Sequence, residues 1–150
     1  MTAAVRGWTR AVMVTGVVVA LDQTTKALAV EHLRPGESEK FFIGVDLTHV
    51  RNKGVAFGAF SEGGWPIAVL TTGALVMLVV YFALHASRAY LWLPVGLLLG
   101  GALGNLADRA REGAVIDFID PVAWPAFNLA DAAVVLGVLS FLYVLESKRE

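Results

Sequence analysis

A chain of 150 residues, 57% of them hydrophobic and only 17% charged, with a mean hydropathy of +0.65, is too apolar for an ordinary soluble domain and is expected to be an integral membrane protein of a single domain. Its net charge of −1, with no run of Lys or Arg, gives no field for nucleic acid. The absence of cysteine removes thiol nucleophiles, thiolate metal sites and disulfides, so any chemistry must use oxygen or nitrogen groups.

A helix needs roughly 20 mostly apolar residues to cross the hydrocarbon core, and the first candidate is Ala11–Val30. Arg6 and Arg10 ahead of it, with Ala27-Leu28-Ala29 as an A-x-A-like site, also fit a signal peptide. Asp22 and Lys26 stand just before that cut, so a retained first span is expected. These two residues are four apart on one helical face and read first as a structural ion pair turned into a bundle. Residues 33–64 form a long loop in which Phe41–Val50 is rich in Phe, Ile, Val and Thr, Asn52-Lys53-Gly54 is a turn signal and Val55–Phe60 is apolar again. A small β-hairpin between helices 1 and 2, able to cap a site, is expected there.

The second and third spans are Trp65–Leu84 and Tyr90–Ala107. Near the end of the third, Asn105, Asp108 and Arg109 follow an i, i+3, i+4 spacing on one face. They are equally readable as site residues or as a snorkelling arginine beside a paired aspartate. Asp117 lies in Ala-Val-Ile-Asp-Phe-Ile, apolar on both sides, whereas Asp120 next to Pro121 reads as a turn residue. The fourth span, Ala126–Leu145, opens with Asn128 and Asp131, which by themselves read as a capping box. The connection from Arg109 to Ala126 is short enough to hold Asp117 at about the level of Asp131. Two carboxylates sharing one proton in partly apolar surroundings provide a base and an acid for activating water against a peptide bond.

Four spans with both termini inside the cell fit the short-loop weighting of the positive-inside rule. The raw count does not decide, since Arg6, Arg10, Arg88, Lys148 and Arg149 stand against Arg34, Lys40, Arg51, Lys53, Arg109 and Arg111, but the first set lies in short tails and one short loop while four of the second share the long one. His32, His49 and His85 are scattered and form no zinc motif, and no Walker, dinucleotide or G-x-S-x-G pattern occurs. No metal or cofactor is expected. A transporter or proton relay would spread its polar groups through the membrane depth, and a structural helper would need no carboxylate pair.

Five blocks in order carry a family resemblance: Asp22-Gln-Thr-Thr-Lys26, Arg51-Asn52-Lys-Gly54-Val-Ala-Phe57, Gly101-Ala-Leu-Gly104-Asn105-Leu-Ala-Asp108-Arg109, Val115-Ile-Asp117-Phe118 and Phe127-Asn128-Leu-Ala-Asp131. Along essentially its full length the chain resembles the lipoprotein signal peptidase family, signal peptidase II. The resemblance implies an all-α membrane protein with four transmembrane helices and a small extracytoplasmic β cradle. It implies an aspartyl endopeptidase of the bacterial inner membrane, working near the outer face, that cuts prolipoproteins before their diacylglyceryl-modified cysteine. Its catalytic aspartates fall on Asp117 and Asp131. Asn52, Gly54, Asn105, Asp108, Arg109 and Asn128 fall on site-shaping positions, and Asp22 and Lys26 on the first-helix motif. Lipidated prolipoproteins and membrane lipids are the implied partners, with no nucleic acid, and the protein is expected to act as a monomer. The connection between the two aspartates is shorter than in some members, which bears on the rim of the site.

Overall fold

The computed structural model describes residues 1–54 and 65–147. In chain order it contains α1 (Ala3–His32), β1 (Ser38–Phe42), β2 (Val45–Asn52), α2 (Trp65–His85), α3 (Trp92–Glu112), β3 (Val115–Pro121) and α4 (Leu129–Glu146). The apolar run of α1 is extended towards the N-terminus because Thr2 caps it, accepting from the Val5 amide at 3.3 Å. Helices α1 and α4 are each long and apolar enough to cross a membrane, and α2 contributes a shorter apolar stretch, Val69–His85.

The bundle has the polarity of a body solvated by lipid. Val12, Met13 and Val17 on α1 and Val135, Leu136 and Leu139 on α4 face outward, while Asp22, Lys26, Asn105 and Asp108 are buried. Small residues that let backbones approach closely hold such apolar helices together. Helix α3 supplies them. Gly96 and Gly100 sit under Val14 and Val18 of α1, and a Cβ on Gly101 would lie 2.4 Å from the Ala130 carbonyl oxygen of α4. At the end near the chain termini, Phe82, Leu91, Val95 and Val144 pack with Ala11 and Ala86, and Trp8 meets Phe82 edge-on with ring centroids 4.7 Å apart.

The sheet departs from the sequence-based expectation in two ways. First, the hairpin between α1 and α2 turns at Ile43-Gly44, with Gly44 at φ +80°, and pairs β1 with β2 antiparallel. The expected turn at Asn52–Gly54 comes one strand later, and the expected partner strand Val55–Phe60 lies outside the described residues. Second, the Asp117 segment is a strand and no loop. Its β-branched and aromatic residues pair antiparallel with β2, setting Val50 opposite Asp117 and Asp46 opposite Asp120. Asp120, expected in a turn, is therefore a strand residue. The apolar neighbours of Asp117 are explained by burial on both sheet faces, since Val115 to Phe118 are all buried.

Candidate active site

The site is assembled around the only lysine of α1. Lys26 is 3% exposed, and its three ammonium donors each find an acceptor: Asp22 Oδ2 at 2.8 Å, Asp108 Oδ2 at 2.7 Å and Asn105 Oδ1 at 2.8 Å. Two anions and a neutral amide thus satisfy one buried cation completely, which is the condition for burying it at all. The remaining Asp22 oxygen accepts from the Ala130 amide at 3.0 Å, so α1 caps the start of α4. Gly104 is the reason this fits: a Cβ there would lie 2.5 Å from Asp22 Oδ2.

Because Lys26 donates to Asn105 Oδ1, the amide orientation of Asn105 is fixed, and its NH2 group must point the other way. It donates to Asp131 Oδ1 at 2.8 Å. Asn128 is fixed by the same logic. Its Oδ1 accepts from the Asp131 amide at 2.9 Å, and its NH2 group donates to Asp117 Oδ1 at 2.7 Å. Asp131 Oδ2 accepts from the Asn128 amide at 3.3 Å, closing a capping box on α4. The cap expected from the spacing and the link to Asp117 therefore coexist in one residue. Asn52, on β2, donates to the other Asp117 oxygen at 2.9 Å. Gly54, at φ +81°, donates its amide to Asn52 Oδ1 at 2.8 Å and so sets the Asn52 orientation.

Asp117 is 2% exposed. Burial pushes its carboxyl from the ordinary 3.8 up to about 6; the hydrogen bonds from Asn52 and Asn128 and the Lys26 charge oppose the rise, while the Asp131 charge adds to it. The two aspartates thus sense each other electrostatically and share Asn128 as a bridge. An apolar cavity of about 500 Å³ between α2, α3 and α4 is lined by Leu70, Leu75 and Leu98 and ends at Asn105, Arg109 and Asp131. Arg109 brings to it a buried Nε that has no hydrogen-bond partner among the described residues.

Of the residues expected from sequence, Asp22, Lys26, Asn52, Asn105, Asp108, Asp117, Asn128 and Asp131 join one hydrogen-bonded network. Gly54 supports it through its backbone, and Arg109 stands beside it on the cavity wall. Sequence reasoning passed over Gln23 and Arg111. Gln23 donates to Asp108 at 2.9 Å and to the Gly104 carbonyl at 3.2 Å, and it accepts from Arg111. Its adjacency to Asp22 on the polar side of α1 was the available signal. Among the described residues no cluster of His, Cys, Asp and Glu could hold a metal ion.

Comparison with known proteins agrees with this architecture. The family profile described as Signal peptidase (SPase) II matches residues 14–146. The lipoprotein signal peptidase of Halothermothrix orenii is 38% identical over 135 residues, 89% of this chain and 93% of that protein. That of Syntrophomonas wolfei subsp. wolfei is 42% identical over 136 residues, 89% and 91% of the two chains. A solved bacterial membrane enzyme superposes with a TM-score of 0.83 at 30% identity, covering 93% of this chain and 89% of that one. On these grounds the chain belongs to the signal peptidase II family.

Proposed function

We propose that this chain is an aspartyl endopeptidase that removes signal peptides from bacterial prolipoproteins, with Asp117 and Asp131 as its catalytic pair and the bond before a diacylglyceryl-modified cysteine as its target. The observation that carries this reading is the convergence of Asn52, Asn105 and Asn128 on two carboxylates, of which Asp131 lines an apolar groove. Family membership makes the protein a bacterial membrane peptidase. The aspartic mechanism rests on the pair.

Each aspartate accepts a hydrogen bond at both oxygens, so the roles follow from the burial that pushes the Asp117 carboxyl up and leaves Asp131 as the carboxylate that takes a proton from water. Asp117, protonated up to about pH 6, gives its proton to the scissile carbonyl oxygen as the water oxygen attacks the carbon. On collapse, the proton held by Asp131 goes to the leaving nitrogen, the C–N bond breaks, and the hydroxyl proton returns to Asp117. Neither a covalent intermediate nor a metal is required. Arg109 has a free donor at the groove wall, suited to a substrate carbonyl.

In this reading all four helices cross the membrane with both termini in the cytoplasm, and the sheet covers the outer end. The groove takes the signal helix, and the acyl chains hold the scissile bond at the interface, since each buried methylene contributes roughly 0.8 kcal/mol. The test is cleavage of one precursor with and without its diacylglyceryl group, at equal membrane density. Only the lipidated form should be cut. Equal rates would remove the lipid requirement while leaving a membrane protease.

A further inference from the structure

At the opposite end of the bundle from Asp117 and Asp131, three guanidinium groups gather around a cavity that no carboxylate lines among the described residues. Arg6, Arg10 and Arg88 line one cavity of about 280 Å³ together with Trp92. Arg6 donates to the Met1 carbonyl at 2.6 Å, Arg10 lies over the Trp92 ring at 5.5 Å, and Arg88 donates to the carbonyls of Val144 and Leu145 at the end of α4. None of the salt bridges among the described residues involves these three arginines. The buried Nε of Arg88 has no hydrogen-bond partner among the described residues.

A second cavity, of about 600 Å³, also touches Arg88 and Tyr90 and, apart from Ser140 and Ser147, is mostly apolar, passing between α3 and α4 over Leu93, Leu139 and Tyr143. Tyr90 stands where the two meet, with φ at +61°, an uncommon conformation for an aromatic residue, and its ring is exposed. Aromatic side chains of this kind favour the boundary between lipid and water. A cationic cavity continuous with an apolar groove on the outer surface of a membrane bundle matches an anionic amphiphile.

We propose that this end of the bundle is a binding site for one anionic glycerophospholipid, its phosphodiester held by Arg6, Arg10 and Arg88 and one acyl chain laid along the α3–α4 groove. Guanidinium groups suit phosphate because their planar donors meet its oxygens in pairs. Three of them around one volume exceed what a single fatty-acid carboxylate can engage. The site lies apart from the catalytic groove, so its loss leaves the peptide chemistry intact.

The experiment uses the full-length protein in neutral detergent, titrated with phosphatidylglycerol, phosphatidylcholine or glycerol 3-phosphate and followed by native mass spectrometry and thermal unfolding. One phosphatidylglycerol should be retained in preference to phosphatidylcholine, with a raised unfolding midpoint, and glycerol 3-phosphate should not displace it. Arg88 also holds α4, so the R6Q/R10Q double variant carries the test. Each neutralised charge near the surface should lower the preference about fivefold, roughly 25-fold for the pair, with precursor cleavage in neutral detergent unchanged. Equal retention of the two lipids, an undiminished preference in R6Q/R10Q, or displacement by glycerol 3-phosphate would overturn the proposal.

Discussion

A buried lysine with three acceptors shows how little slack the site has at the residue scale. Lys26→Met would leave Asp22 and Asp108 facing each other without their cation, and the expected loss is about 3–5 kcal/mol, read as a fall in the unfolding midpoint in detergent. Asp117→Asn and Asp131→Asn each remove one of the two proposed proton-transfer groups and little volume. Turnover should drop by about 10²–10⁴ in each while the protein remains folded and in the membrane; full activity in either variant would refute the pairing. Asp120→Asn, opposite Asp46 on the sheet, should leave turnover unchanged. The pH dependence of stability separates Asp117 further. Its carboxyl is raised from 3.8 to about 6 in the folded protein, so the folded state binds that proton more tightly than the unfolded chain. The stability it contributes is complete below about pH 4 and is lost as pH rises through about 6, a loss on the order of 3 kcal/mol. Asp117→Asn lacks this loss. Across pH 4 to 8 its unfolding midpoint should fall less than that of the parent protein, and parallel curves would place the titration elsewhere. The charged members of the site were legible in the sequence because an ionisable group inside a span is costly and so calls for a reason. Gln23 carries no such cost, and only its four hydrogen bonds in the folded protein set it apart.

Among elements, α3 is the one on which the others depend, because its glycines bring α1 and α4 within backbone distance. Gly101→Ala would put a methyl group 2.4 Å from a main-chain oxygen that has no flexible way to retreat. A destabilisation of about 1–3 kcal/mol is expected, whereas Gly16→Ala, with open space around it, should be neutral or stabilising; thermal unfolding of the two variants side by side distinguishes packing from propensity. The helices were legible from apolar length but their ends were not: α1 begins at Ala3 behind the Thr2 cap, well ahead of the expected Ala11, and α3 runs on to Glu112 past the expected Ala107. The strands were not. Gly44 and Gly54 both have φ near +80° and both sit in plausible turns, so local signals could not rank them. The pairing of β3 with β2 joins Asn52 to Val115, and a contact that remote in sequence leaves no trace in the pattern of either segment. Asp117 therefore looked like a misplaced loop aspartate until its strand partner was seen.

For the whole molecule, the absence of native cysteine makes the proposed topology directly measurable. Single cysteines replacing Ser38, Ser87 and Ser147, all exposed, should react with a membrane-impermeant thiol reagent on intact spheroplasts only at position 38. Labelling at position 87 would reverse the orientation. One consequence concerns time. The network that fixes the proposed catalytic pair draws Asp22 and Lys26 from the first helix and Asp131 from the last, and Asp22 holds the Ala130 amide directly. A ribosome must therefore finish nearly the entire chain before any working site exists, and every shorter nascent product is inert. A peptidase resident among unprocessed precursors needs no propeptide to keep it silent during its own synthesis, because the order in which its residues are made already does so.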